Sequence, residues 1–334
     1  MAVPAAPIST ATPEMSELLT KIISRQVIST LRTGRYFLPP GAVLFETYPA
    51  GGGHTDEYVL GSYEDLVIDP AALASYVLAE GVTPNAVAFG SDVNSFLTTE
   101  YARLVTVTSE QIRTNPAPGG FFTVIAEKVA NAAQDLIDAV AQTLWMSYSG
   151  KAPVILPGAT PAAANKLDTM AILKAVVSLQ SRGVPPIDGT NYGAMVTPAV
   201  GATIMAEQNA TGGMVGWTDA MKYAGPDRLV TGEIGTYRGV RFFVNSRIPA
   251  KTGSVFPTFV FGKDALAWAD LSSLRVTSVR PTPSISDPLA QRGAAGFAVR
   301  AGGMLISDLD PTGTTRRYRF VVIESTADPL LASA

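Results

Sequence analysis

One long amphipathic segment, residues 121–145, constrains the fold of this chain more than any other stretch. Its apolar residues recur at intervals of three and four, the period of one helical face, and they are Phe122, Ile125, Val129, Ala133, Leu136, Val140 and Leu144. The other side carries mainly Glu127, Lys128, Asn131, Gln134, Asp135, Asp138 and Gln142. Glycines precede the segment and Ser149-Gly150 follow it, so both ends have turn residues. The pattern predicts a helix roughly 37 Å long that packs against a core.

Length and composition narrow the class of protein. A chain of 334 residues is long enough for about two domains. Only 16% of the residues are charged, too few to cover a monomer of this size evenly, which predicts a surface partly buried against partners. A net charge of −3 argues against tight nucleic-acid binding, which needs clustered Lys and Arg. Because cysteine is absent, disulfides, cysteine nucleophiles and thiolate metal sites are excluded.

The N-terminal residues predict an extended arm rather than a signal peptide or a membrane anchor. Residues 1–13 are rich in Ala, Pro, Ser and Thr and lack the basic region and apolar block of a secretory signal. No run approaches the ~18 apolar residues of a membrane span. We therefore expect a protein made and used in the cytoplasm, with no membrane partner.

The remaining pattern predicts strands before the long helix and mixed structure after it. Helices are predicted over residues 14–31, from an Asp168 cap to Gly183, from Pro198 onward, and over residues 217–224. Strands are predicted over residues 101–108, 195–197 and 318–324, and as a pair over residues 229–245 around Gly235 and Gly239. The Pro/Ala-rich stretch 151–165 is a candidate domain boundary.

Candidate chemistry is sparse. The single histidine, His54, follows the glycines 51–53 and could form a triad only with Asp56, without a recognisable nucleophile. The Gly51–Gly53 run and Gly262-Lys263-Asp264 lack the Lys-Ser/Thr ending of a phosphate-binding loop. Gly232-Glu233-Ile234-Gly235 and Gly302-Gly303 lack the full spacing of a dinucleotide fingerprint.

Charged clusters give no stronger signal. Asp65 with Asp69, and Asp308 with Asp310, have only weak metal-ligand spacing and are typical of solvated turns. The basic run 316–319 is more typical of ion pairs or a subunit contact than of a nucleic-acid groove. We therefore predict no catalytic residue, no cofactor, no metal site and no enzymatic activity.

Three short motifs resemble those of a known family. They are Gly232-Glu233-Ile234-Gly235 continuing to Gly239-Val240-Arg241, then Phe259-Val260-Phe261-Gly262-Lys263-Asp264-Ala265, and finally Asp287-Pro288-Leu289-Ala290-Gln291-Arg292-Gly293. In this order, with the long helix, they resemble the major capsid proteins of tailed bacteriophages with the Hong Kong 97-type fold. The resemblance covers roughly residues 40–325. It agrees with the residue pattern, since Val240, Phe242 and Val244 alternate as on one sheet face.

The resemblance implies an α+β fold with four parts. Residues 1–42 would form an N-terminal arm, and residues 43–112 an extended β-hairpin loop that lies over a neighbouring subunit. Residues 113–165 and 251–334 would form a peripheral domain with the spine helix 121–145, and residues 166–250 an axial domain. We expect residues 51–56 at the hairpin tip to contact a neighbour.

The implied function is a shell protein that self-assembles through pentamers and hexamers into the icosahedral head of a tailed phage and encloses double-stranded DNA. The protein would reside in the virion after assembly in the host cytoplasm. Implied partners are copies of itself, separate scaffolding, portal and decoration proteins, and DNA held without sequence preference. Because no lysine occurs between Lys21 and Lys128, we predict no isopeptide crosslink from the hairpin loop. The alternatives are an encapsulin-type nanocompartment shell and an α/β enzyme with an acidic site.

Overall fold

The computed structural model describes most of the chain between residues 37 and 327. The described residues are 37–46, 57–63, 73, 76–77, 91–108, 121–158, 160, 162–163, 165–207, 218–219, 233–269, 275–279, 289, 291–309 and 316–327. The helix predicted over residues 14–31 lies outside them, as do His54 and the glycines at 51–53.

The described residues contain three helices and seventeen strands, and the predicted α+β class is confirmed. The helices are α1 (Phe121–Met146), α2 (Thr169–Ser181) and α3 (Pro198–Glu207). The strands are β1 (Val43–Glu46), β2 (Glu57–Tyr63), β3 (Ser91–Leu97), β4 (Thr99–Thr108), β5 (Val154–Ile155), β6 (Tyr192–Val196), β7 (Thr218–Asp219), β8 (Glu233–Tyr237), β9 (Val240–Val244), β10 (Val255–Phe261), β11 (Leu266–Ala269), β12 (Arg275–Val279), β13 (Arg292–Ala301), β14 (Gly303–Leu305), β15 (Ser307–Leu309), β16 (Arg316–Tyr318) and β17 (Phe320–Thr326).

A seven-stranded mixed sheet in the order β5-β17-β10-β6-β9-β8-β7 carries the two larger hydrophobic cores. β17 runs parallel to β5 and β6 parallel to β9, while the other neighbours are antiparallel. Phe320 and Val322 of β17 belong to one core, whereas Val321 and Ile323 belong to the other. Because both faces of the strand are covered, its sequence is continuously apolar rather than alternating.

Helix α1 covers the first face of the sheet and confirms the predicted long helix, ending one residue later than expected. Its most buried apolar residues are spaced by four and are at most 3% exposed: Val129, Ala133, Ile137, Ala141 and Trp145. The predicted apolar side is confirmed, because Leu136, Val140 and Leu144 also pack against this core, but they are only half-buried at its margin. Periodicity defines a broad apolar side, but the packing partner decides which row lies at its centre.

Trp145 joins the end of α1 to the sheet and to the N-terminal part of the described chain. Its indole ring lies 5.4–5.6 Å, centroid to centroid, from the rings of Phe259, Phe261 and Phe320. Its Nε1 donates a hydrogen bond to the carbonyl oxygen of Phe37 at 2.9 Å. The ring therefore contributes apolar burial and also satisfies a buried backbone acceptor.

Helix α2 covers the second face of the sheet. Asp168 caps it as predicted, since Oδ1 accepts a hydrogen bond from the backbone N–H of Ala171 at 2.8 Å. Gly183 follows its last turn with a φ of 70°, which glycine adopts without strain. Ile172 and Leu179 lie in the core on this face. α3 begins at Pro198, also as predicted.

The smaller sheets surround this assembly. Two are three-stranded, with the orders β1-β11-β14 and β12-β13-β4, and β15 pairs with β16. β2 and β3, here called the hairpin pair, are antiparallel over seven residues, with Glu57 opposite Leu97 and Tyr63 opposite Ser91. The predicted strand 101–108 is confirmed within β4.

The strand pair predicted over residues 229–245 is confirmed as β8 and β9. Its turn lies at Arg238 and Gly239, which both have positive φ, 50° and 77°, as a two-residue hairpin turn of primed type requires. Gly235 instead lies at a register shift in β8. The closing strand is also confirmed, although a break at Arg319 divides it into β16 and β17.

Residues 51–56, predicted as the hairpin tip, lie outside the described residues. One local prediction is wrong. In the predicted helix 217–224, Thr218 and Asp219 form β7 on the edge of the large sheet. A short helix is marginal alone, and a sheet edge offers its backbone better hydrogen bonds.

Candidate functional site

The outward side of β3 has a regular pattern of exposure. Val93, Ser95 and Leu97 are exposed, with 54% exposure at Val93 and 68% at Leu97. The residues between them, Asn94 and Phe96, are buried, with exposed fractions of 4% and 6%. The strand therefore directs polar and aromatic anchors towards the protein and large apolar side chains towards solvent.

Strand β4 is even less covered. It is the edge strand of the sheet β12-β13-β4, and of its ten residues only Val107 is buried. Leu104 is 66% and Val105 43% exposed, although they point to opposite faces. An exposed, long, apolar edge strand is unusual in a soluble monomer and favours pairing with another chain.

We call Val93, Leu97, Leu104 and Val105 the apolar strand surface. Nothing in these side chains can act as an acid, base, nucleophile or metal ligand. Their shared property is apolar area that a second protein surface could remove from water, at roughly 25 cal/mol per Å². The arrangement is therefore suited to association rather than to chemistry.

A charged cluster lies on β8 and β9 of the large sheet. Arg241 Nε and Nη2 donate to the two carboxylate oxygens of Glu233 at 2.8 and 2.6 Å, and Arg241 Nη1 donates to Asp188 Oδ2 at 3.1 Å. The Glu233 side chain is 0% exposed and that of Arg241 is 11% exposed. Hydrogen bonding to Glu233 raises the pKa of Arg241 despite its burial, so the guanidinium remains charged.

Asp188 ties this cluster to the loop before β6. It accepts hydrogen bonds from the backbone N–H groups of Thr190 and Asn191, at 3.1 and 2.7 Å, and from both of their side chains. Burial acts to raise the pKa of Asp188, but the hydrogen bonds from Asn191 and Thr190 outweigh it and hold that pKa well below the usual range. The ion pairs among Asp188, Arg241 and Glu233 thus hold the loop before β6 to the large sheet.

The basic run 316–319 also has a structural explanation. Arg319 donates to both oxygens of Asp308, at 2.7 and 2.8 Å, and these hydrogen bonds raise the pKa of Arg319. Arg316 donates to Asn94 Oδ1 at 2.8 Å. The interpretation of the run as an ion-pairing patch is confirmed at Arg319.

The other sequence candidates do not come together as a site. Asp308 is the only one of the four candidate metal aspartates in the described residues, and it binds Arg319. His54 and Asp56 lie outside the described residues. Within the described part of the chain no group of three or more His, Asp or Glu could hold a metal ion. No described helix is long and apolar enough to cross a membrane.

The glycine motifs that mimic nucleotide loops are explained by packing. A Cβ on Gly303 would lie 2.5 Å from the backbone oxygen of Ala267, and one on Gly302 would lie 2.6 Å from that of Leu97. Gly262 is similarly close to the oxygen of Pro185, at 2.6 Å. These glycines permit close approach of neighbouring backbones.

Sequence reasoning missed the ion pairs of Arg247. Its guanidinium binds Asp135 and, at 3.3 Å through Nη1, Asp138, which is only 2% exposed although its position in the helix predicted a polar, outward side. No local signal could have found this contact, because Arg247 lies 109 residues from Asp138. A buried carboxylate on a helix indicates a partner but does not identify it.

Comparison with known proteins gives the family. A family model described as phage capsid protein matches residues 93–317. Similar solved structures include the capsid of Ralstonia phage GP4, with a TM-score of 0.64 and 12% identity over 86% of this chain and 88% of that one. Another similar solved structure is described as Mycobacterium phage Patience. It has a TM-score of 0.54 and 11% identity, and the match covers 98% of this chain and 95% of that one. No curated protein matches the chain.

The fold is that of a structural protein that associates with copies of itself in a shell. The chain belongs to the phage capsid protein family, whose model matches more than half of it. Its fold is the Hong Kong 97-type capsid fold, and it is a major capsid protein, a component of the virion. The encapsulin and enzyme alternatives are not favoured by these matches.

Proposed function

We propose that this capsid protein forms pentamers and hexamers that close into the icosahedral head around the double-stranded DNA of a tailed phage. The observation that carries the proposal is the apolar strand surface, with two leucines more than 60% exposed on consecutive strands. A closed shell offers every subunit a neighbour that can cover such residues. Weak but repeated burial of this kind favours assembly at high local concentration.

We propose the four-part division given above for the assembled subunit: arm 1–42, hairpin-loop region 43–112, peripheral domain 113–165 with 251–334, and axial domain 166–250. Support comes from the two hydrophobic cores, one around α1 and the other around α2 and α3. β5, β10 and β17, which lie outside residues 166–250, pair into the large sheet and would couple the two domains.

We further propose that the subunit has no enzymatic role. In support of this, the charged side chains of each described cluster bind one another rather than point into a cleft. Assembly would take place in the host cytoplasm with separate scaffolding, portal and decoration proteins. The net charge of −3 suits an inner wall that tolerates dense DNA without binding it tightly. Contact with DNA would be independent of sequence.

Size-exclusion chromatography of the recombinant protein, followed by negative-stain microscopy at low and high concentration, tests the proposal. We expect rings of five or six subunits, tubes or closed shells at high concentration. A monomer or dimer at every concentration, including under crowding or raised salt, would contradict it.

A double variant, Leu97→Ser with Leu104→Ser, tests the role of the apolar strand surface. We expect an unchanged fold, because exposed substitutions typically alter the free energy of unfolding by less than about 0.5 kcal/mol, together with loss of assembled particles. Leu289→Ser is the matched control, since Leu289 is 77% exposed but lies outside β3 and β4. Normal shells from the double variant would show that the apolar strand surface is not part of the interface between subunits.

A further inference from the structure

The hairpin pair is attached to the rest of the protein by the inward side of β3. Phe96 is 6% exposed and belongs to a small apolar cluster with Ala267, Ala269 and Ile306. Asn94 lies two residues before Phe96, on the same side of the strand, and is 4% exposed. β2 pairs with β3 and with no other strand in the described sheets, so β3 is its link to the body.

Asn94 lies in a polar cluster with residues of two other strands. Its Nδ2 donates to the carbonyl oxygen of Ser307 at 3.1 Å, and its Oδ1 accepts from Ser307 Oγ at 3.3 Å. Arg316 Nη1 donates to Asn94 Oδ1 at 2.8 Å and to Ser307 Oγ at 3.2 Å. Both the Nδ2 and the Oδ1 of Asn94 therefore make hydrogen bonds, with Ser307 and Arg316, which lie 213 and 222 residues further along the chain.

The two halves of this attachment have different physical properties. Burial of Phe96 among small apolar side chains is favourable but non-directional, so it would tolerate rotation of the strand. The hydrogen bonds of Asn94 require donor and acceptor to be aligned and weaken steeply away from that geometry. Because a two-stranded ribbon has little stability of its own, its direction depends on how its base is held. Asn94, Ser307 and Arg316 are the groups that can define that direction.

We propose that the Asn94–Ser307–Arg316 cluster sets the angle at which the hairpin pair leaves the body and thereby the curvature of the assembled shell. The inference rests on the proposed assembly function. Val93 and Leu97 lie on the opposite side of the same strand, so any rotation at Asn94 redirects these two residues of the apolar strand surface. A closed shell requires contacts within a narrow range of angles, since a heterologous contact that does not close generates open structures.

Arg316→Ala tests the proposal, with Arg317→Ala as its matched control. Both remove one arginine from β16, but only Arg316 donates to Asn94. We expect the Arg316 variant to keep the thermal unfolding temperature of the wild type yet assemble into tubes, sheets or shells of mixed diameter. Amide exchange of residues 57–63 and 91–97 should accelerate about five- to tenfold from loss of the cluster's hydrogen bonds, with no change at residues 255–261. The control should form normal shells.

Ser307→Ala is a gentler variant, because the Asn94 Nδ2 bond to the Ser307 carbonyl remains possible; it should shift particle diameter in the same direction. Wild-type diameters and wild-type exchange in both variants would overturn the proposal while leaving the assembly function intact. Failure of the wild-type protein to form any ring or shell would overturn the proposed function itself. The two failures are thus distinguished by the wild-type sample.

Discussion

Arg241 and Glu233, eight residues apart on adjacent strands, form a bidentate ion pair with nitrogen–oxygen distances of 2.8 and 2.6 Å. They are two of the three charged residues of the motif at residues 232–241, and they bind each other rather than a ligand. Bidentate pairing of this type is among the strongest side-chain interactions and is sensitive to loss of either member.

Replacing Arg241 by Met should destabilise the subunit by about 3–5 kcal/mol, because it leaves the fully buried Glu233 carboxylate without its cation. Urea unfolding followed by circular dichroism measures the change. Lys174→Met, which removes an exposed cation from α2, is the control and should be nearly neutral. A loss below about 1 kcal/mol for Arg241→Met would mean that the pair behaves as a surface salt bridge.

Stability should fall in acid partly through Asp188. Its pKa is held below the ordinary value of 3.8, so on acidification the unfolded chain takes up this proton before the folded one does. The contribution is complete above the unfolded value and is lost as the pH falls through the folded one. Asp188→Asn should therefore be less stable at neutral pH and lose less stability on acidification below about pH 4.

Urea titrations at a series of pH values around and below pH 4 measure the free energy of unfolding of both proteins. The slope of that free energy against pH is then compared between them. Parallel curves for Asp188→Asn and the wild type would contradict the assignment, since they would mean that Asp188 binds protons equally in both states.

The hydrogen bond from Trp145 to Phe37 can be isolated by comparing two tryptophans. Trp145→Phe and Trp268→Phe both shrink a fully buried ring, but Trp268 Nε1 makes no hydrogen bond within the described residues. We expect Trp145→Phe to be the more destabilising by about 1–3 kcal/mol, the cost of leaving the Phe37 carbonyl unsatisfied. Thermal and urea unfolding of both variants provide the measurement. Equal losses would assign the effect to ring volume alone.

Much of the local structure could be predicted because its causes are local. The period of apolar residues predicted α1, Asp168 and Gly183 predicted the ends of α2, and Gly239 predicted the turn between β8 and β9. Each depends on residues within one or two turns of chain. The motif order added the family, which the match over residues 93–317 then showed.

The tertiary structure alone decided which of these residues meet. The buried row of α1 shares only Val129 and Ala133 with the predicted stripe, because the sheet against the helix selects the central row. Asn94 meets Arg316 across 222 residues, and Arg247 meets Asp138 across 109. Periodicity and turn chemistry act over a few residues, so they determine that helices and strands form and where they end. Contacts between distant polar groups depend on how the elements pack, and in our proposal the contact between Asn94 and Arg316 sets the direction of the hairpin pair.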